Sequence, residues 1–251
     1  SRDYELSSRQ PLILKPQQEL TLGISCSHQE SETSLFDTPF PLSRSANEEG
    51  ETRVSTIRLV QEWVNRDRHQ ILAVFSQFSI GVNLFDATDS DNNPDSDFFA
   101  WRGQSQWVRQ LDEDFLLILR GDVQLTPMGL VPLEQFRLGG FNSVRGYRQD
   151  LLLADNGLFA GAELRIPILR IQSLDGVIQL TPFVDLGTVW NSDEIEIDRD
   201  FLSAVGIGLN FSAGDSFNAR LDWGIPLVEI NNQGDSLQEN GIHFSINYNF
   251  F

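Results

Sequence analysis

The sequence predicts an all-β fold, a membrane-spanning antiparallel β-barrel, and three observations carry the prediction. Hydropathy alternates with a period of two residues, the alternating runs are roughly 10 to 15 residues long, and connections alternate strictly between short and long. Strands of soluble domains average about five or six residues. Tilted strands of about nine or more are what a bilayer crossing requires. A sandwich also alternates, but with shorter strands and a solvated polar face.

Eleven runs begin near Tyr4, Leu20, Arg53, Ile71, Phe98, Phe115, Leu158, Val177, Phe201, Phe217 and Ile242. In "LRGDVQL", Leu119, Val123 and Leu125 oppose Arg120, Asp122 and Gln124. In "FLSAVGIGLNFS", Phe201, Val205, Ile207 and Leu209 oppose Ala204, Gly206, Gly208 and Asn210. In "SFNARLDWGI", Leu221, Trp223 and Ile225 oppose Arg220, Asp222 and Gly224. "GIHFSINYNF" sets Phe244, Ile246, Tyr248 and Phe250 against His243, Ser245 and Asn247. No stretch reaches the roughly 20 apolar residues of a membrane helix. A barrel alternates lipid-facing and inward residues, so its mean hydropathy, here -0.22, stays low.

The short connections are "LKPQQ", "NRDRHQ", "QLDED", "RIQSLDG" and "SAGDS". The long ones span Ser27–Thr52, Asp86–Asp97, Pro127–Asn156, Asn191–Asp200 and Glu229–Asn240. Antiparallel hairpins put alternate connections at opposite ends, so one end owns every long loop, as extracellular loops do in outer-membrane barrels. An odd, open sheet leaves two edges, whereas bacterial single-chain barrels close with an even number of strands. Two readings stand: residues 1–251 are the C-terminal part of a larger barrel, or the chain closes alone with roughly ten or twelve strands. Ser1 opens inside an alternating run with no initiator Met or signal peptide, which suggests a mature or truncated chain.

A net charge of -18 argues against nucleic acid, which needs clustered Lys and Arg. Cys26 stands alone, so no intrachain disulfide forms. His28, His69 and His243 lack metal-ligand spacing. "DSDNNPDSD" (Asp89 to Asp97) is similar to a calcium loop, but Pro94 stands where glycine belongs and Ala100 where the bidentate Glu belongs. Gly206 and Gly208 sit in a strand with no third glycine and no helix, which excludes a dinucleotide fingerprint. No cofactor is expected, and no enzyme: His243 on an inward face is the single catalytic candidate, and nothing joins it in a triad.

The remaining constellation is electrostatic. "QFRLGGFNSVRGYRQD" (Gln135 to Asp150) places Arg145 in a glycine-rich loop. Glu163 shares the inward parity of Phe159, Gly161 and Arg165, and Asp185 that of Thr181, Phe183 and Gly187. Leu180, Val184, Leu186 and Trp190 form the apolar opposite face. An enclosed carboxylate is costly unless paired, and guanidinium pairs with carboxylates through a planar fork. Either the loop folds inward and Arg145 meets both acids, or Arg145 is a surface charge and the acids line a wet pore.

"LEQFRLGGFNSVRGYRQD" resembles the signature loop of the POTRA-plus-barrel superfamily of outer-membrane transporters, which carries Val-Arg-Gly-Tyr/Phe. "PFVDLGTVW" resembles its Phe-x-Asp-x-Gly motif, and "ELRIP" the strand between the two. "RGYRQD…DNG…ELRIP" looks closest to the two-partner secretion branch, the transporters of haemolysins and filamentous adhesins. The barrel-assembly branch prefers Phe where Tyr147 stands.

The resemblance implies a barrel of roughly sixteen strands, with POTRA domains and first strands outside this chain and the loop 127–156 inserted in the lumen. It implies a lock between Arg145, Asp185 and Glu163, with Val144, Gly146, Tyr147, Phe183 and Gly187 as motif and packing residues. The implied task is ATP-independent export of an unfolded exoprotein from periplasm to cell surface by a monomeric outer-membrane protein in contact with lipid. The alternative task is barrel assembly. "IHFSINYNFF" resembles the C-terminal strand read by the assembly machinery, through Phe244, Tyr248, Phe250 and Phe251.

Overall fold

The computed structural model describes residues 2–32, 34–35, 38–39, 51–83, 96–193, 197, 199–214, 216–230 and 234–249. The strands in chain order are β1 (Arg2–Lys15), β2 (Gln18–Glu32), the short β3 (Ser34–Leu35) and β4 (Thr38–Pro39), β5 (Glu51–Arg66), β6 (Gln70–Val82), β7 (Phe99–Asp112), β8 (Phe115–Leu125), the short β9 (Phe136–Leu138) and β10 (Leu152–Ala154), β11 (Asn156–Ile171), β12 (Gly176–Leu180), β13 (Phe183–Trp190), β14 (Phe201–Ala213), β15 (Phe217–Pro226) and β16 (Ile242–Tyr248). Twelve of them form one antiparallel sheet in the order β1-β2-β5-β6-β7-β8-β11-β12-β14-β15-β16, with β13 also between β11 and β14.

β12 and β13 are one pass. Pro182 has no N–H to give the ladder, yet Thr181 and Gly208 exchange backbone hydrogen bonds at 2.9 and 3.0 Å, and Leu164 N donates to Pro182 O at 3.1 Å. The sheet therefore makes eleven passes, each beginning within two residues of its expected start. Among the described residues β1 and β16 pair on one side only.

Alternation sets the two faces. On β13, Phe183 and Asp185 are buried while Val184, Leu186 and Trp190 stay exposed. On β15, Asp222 is buried between exposed Leu221 and Trp223. On β16, His243 is buried while Phe244 and Tyr248 are exposed. Exposed apolar side chains in this regular array belong to a lipid-facing surface rather than to scattered surface positions.

The short connections lie at one end and the long ones at the other, with one correction. The expected loop from Ser27 to Thr52 starts too early: β2 runs on to Glu32 and β5 begins at Glu51, paired as Ser27↔Thr56 through Glu32↔Glu51. Apart from Val54 these positions are polar on both faces, so hydropathy does not mark them as strand, but the backbone ladder continues. Asp89 to Asp95 of the acidic run, and Phe250 and Phe251, lie outside the described residues.

The long connection after β8 is not irregular throughout. β9 and β10 pair as a hairpin. Among the described residues the loop supplies seven of the sixteen buried apolar side chains, in two clusters. Phe136, Leu138, Val144, Tyr147 and Ala154 pack on Phe159, Val189, Leu202 and Ala204 of the wall. Leu130 and Val131 pack on Val54, Phe98 and Ala100. The loop thus covers part of the inner face of the sheet.

Candidate functional site

The loop descends along the wall because its backbone turns tightly and the wall gives it room. Gly146 has φ 110°, which favours glycine. The wall opposite is Gly224, where an added Cβ would stand 2.5 Å from Gly146 N and 2.7 Å from Arg145 C. Gly187 is likewise filled by the loop: a Cβ there would meet Leu138 Cδ1 at 2.5 Å.

Arg145 ends this descent 1% exposed. Its Nε and Nη2 donate to the two Asp185 oxygens at 2.7 and 3.0 Å, a bidentate fork. Its backbone N–H also donates to Asp185 Oδ2, at 3.2 Å. Nη1 donates to Glu163 Oε2 at 2.6 Å and lies 3.6 Å from Asp222 Oδ2. The guanidinium stacks 3.5 Å above the Phe183 ring, a cation–π contact that strengthens when desolvated. Asp185 pairs with Gly161, five residues down β11 from Asn156 at the loop end. At about 3.3 Å per residue the tip therefore reaches roughly 17 Å into the sheet.

The structure brings Arg145, Asp185, Glu163 and Phe183 together and enlarges the group. Arg220 Nε donates to Asp222 Oδ2 at 2.8 Å and its Nη2 donates to Glu163. Arg165 Nε donates to Glu163 Oε1 at 3.1 Å. Arg120 Nη2 lies 3.6 Å from Asp185 Oδ1. Three buried carboxylates, from β11, β13 and β15, thus face four guanidiniums from the loop, β8, β11 and β15. Such a cluster survives burial only because nearly every charge is met. The expectation of two acids and one arginine was too small. Arg120, Arg220 and Asp222 share the inward parity already visible in their strands, and that is the signal that identifies them.

The neighbouring motif residues sit as follows. Val144 and Tyr147 are fully buried. The Tyr147 hydroxyl lies 3.0 Å from the carbonyl oxygens of Ser203 and Val228 and accepts from Val228 N at 3.1 Å. Tyr147→Phe would take this partner from Val228 N and O, while Ser203 O keeps the Leu227 N–H at 2.8 Å, at a cost of about 1–3 kcal/mol. It is expected to lower the barrel's midpoint in a denaturant titration without preventing assembly. His243 sits behind the tip, its ring 6.4 Å from that of Phe141 and its Cα partnered with that of Asp222. Phe244 and Tyr248 point away from the site.

A second anchor, which sequence reasoning missed, holds the root of the loop. Arg58 Nη2 donates to Glu134 and its Nη1 to Ser27. Asp155 accepts from Leu130 N at 2.9 Å, Ser192 N at 3.0 Å and Gln135 Nε2 at 3.2 Å. Among the described residues no His, Cys, Asp and Glu group could hold a metal ion.

An antiparallel wall with an apolar outer face, and a long loop clamped to its inner face by buried charge, defines the class: a transmembrane β-barrel carrying a docked inner loop. The chain belongs to the family described as haemolysin secretion/activation protein ShlB/FhaC/HecB, whose model matches residues 1–211. The fold is similar to that of CdiB from Escherichia coli (TM-score 0.79, 16% identity, 96% of this chain and 44% of that one). It is also similar to CdiB from Acinetobacter baumannii (TM-score 0.73, 21% identity, 98% and 41%). BamA from Haemophilus ducreyi lacking POTRA domains 1–3 shares it less closely (TM-score 0.63, 13% identity, 97% and 53%). No curated protein matches the sequence. The chain spans less than half the length of the two CdiB structures. Arg220, Asp222 and Gly224 lie beyond the span that the family model matches.

Proposed function

We propose that this chain is the C-terminal part of an outer-membrane barrel that exports an unfolded exoprotein of the haemolysin or adhesin type to the cell surface without ATP. The supporting observation is the Arg145 tip, clamped to Asp185 and Glu163 at mid-height of the wall in a member of a secretion/activation family. In this reading the loop 127–156 occupies the lumen, Arg145 with Asp185 and Glu163 is its lock, and Val144, Gly146, Tyr147, Phe183 and Gly187 shape its seat. Long loops face outward and tight turns face the periplasm. The protein works as a monomer in lipid, and its last strand is the segment the assembly machinery reads. The task is conformational, with no covalent chemistry.

The test compares secreted and outer-membrane proteins with and without the full-length protein. Loss of one or a few large exoproteins from the medium is the expected result. A simultaneous fall in many outer-membrane proteins would instead support an assembly factor, the reading that the fold shared with BamA favours.

A further inference from the structure

The inner wall is not filled evenly. The tip occupies the β11–β15 side, while the β5–β8 side keeps an open cavity of about 410 Å³ at mid-height. Its lining mixes the amides of Gln104, Gln106 and Asn142, the charges of Glu62 and Arg120, and the Phe75 ring. Side-chain amides both donate and accept, so they suit peptide groups of any sequence. Nearer the loop end of the same wall, beyond the cavity lining, the root of the loop packs down, with Leu130, Val131, Met128 and Leu133 against Val54 and Phe98. There Arg58 holds Glu134, and Arg58 is four residues up β5 from Glu62, or about 13 Å at the strand rise.

The two anchors are unequal. The tip makes four hydrogen bonds from Arg145 with the whole residue 1% exposed. The root's only ion pair among the described residues, Arg58–Glu134, has side chains 20% and 12% exposed, and the remaining root contacts are neutral packing and hydrogen bonds, those at Asp155 among them. Breaking a buried pair costs far more than breaking a partly solvated one, and segments of low local stability open first. Gln124 Nε2, which donates to Glu134 O at 2.9 Å and Asp155 O at 3.0 Å, is a pivot that keeps the root tied to β8 when the Glu134 side chain lets go.

We infer that an extended segment of the exported polypeptide runs along the β5–β8 wall and leaves beneath the loop's root, past an exit held shut by Glu134 and Arg58, while the Arg145 tip stays docked. The inference rests on the export reading for its occupant, but the exit itself is a property of the barrel and can be tested without any partner. Full-length protein carrying Cys26→Ser and Val144→Cys is placed in planar lipid bilayers with and without Glu134→Gln. Val144 is fully buried under the tip, so its cysteine reports tip release. The expected result is a several-fold rise in conductance with Glu134→Gln, while Val144→Cys stays unreactive towards an impermeant maleimide. The Arg58→Gln, Glu134→Gln double variant, which leaves no unpaired charge, should open similarly. A bulky maleimide on Gln104→Cys should close the pathway again. Unchanged conductance in both variants would overturn the exit, and so would Val144→Cys becoming reactive as conductance rises. If conductance rises but no exoprotein disappears from the medium in the secretome comparison, the export reading fails and the exit stands.

Discussion

Replacing Arg145 with alanine is expected to abolish export of the partner while the barrel still reaches the outer membrane. The substitution removes two side-chain hydrogen bonds to Asp185 and one to Glu163, leaving only the backbone N–H of residue 145 on Asp185. Breaking a buried charge pair by removing one partner costs about 3–5 kcal/mol. At about 1.4 kcal/mol per decade, that lowers the docked-to-undocked ratio of the tip by a hundredfold or more. The wall itself retains its ladder, because β11, β13 and β15 pair through backbone groups that Arg145 does not touch. The measurement is immunodetection of the exoprotein in the medium, alongside heat-modifiable migration of the barrel as the sign of assembly. Normal export with a normal barrel would remove the lock. A variant that fails to assemble would be read instead through Arg145→Lys. Lysine keeps the charge but cannot form the planar fork to Asp185, so it should assemble and still export poorly.

The parts of this site that were legible in the sequence share one physical cause. A lipid-facing strand must alternate, so every inward side chain announces itself by parity. Asp185 stands out between Val184 and Leu186, Glu163 between Ala162 and Leu164, and Asp222 between Leu221 and Trp223. Eleven passes could be counted for the same reason. The same rule fails where neither face meets lipid, which is why β2 was cut short at Ser27 although it runs to Glu32. The root anchor was illegible for a different reason. Glu134 lies in a segment with no period, and its partner Arg58 is 76 residues away. Only the path of the folded loop joins them. The β9–β10 hairpin is equally hidden, because strands of three residues are too short to show alternation.

Charge is not the sole requirement for docking, and Gly224 separates charge from fit. Gly224→Ala is expected to release the tip although it removes no hydrogen bond. A single methyl there would stand 2.5 Å from Gly146 N and 2.8 Å from Arg145 O, both backbone atoms that cannot rotate away. Gly224 pairs with Gly206 across β14 and β15 without a positive φ, so alanine suits its own backbone. The strain therefore falls on the loop. The tip must rise by enough to lengthen every bond from Arg145, and hydrogen bonds weaken steeply beyond their optimal reach. Export should fall about as far as with Arg145→Ala, while Ile225→Ala on the lipid face of the same strand should leave it intact. The two variants differ in kind as well: Arg145→Ala takes the guanidinium fork from Asp185, whereas Gly224→Ala leaves every charge present but out of register. If Gly224→Ala exported normally with the tip still protected from a thiol probe at Val144→Cys, the close approach of loop and wall would not be what holds the loop in place. If it exported poorly with the tip still protected, the wall glycine would serve some step other than docking.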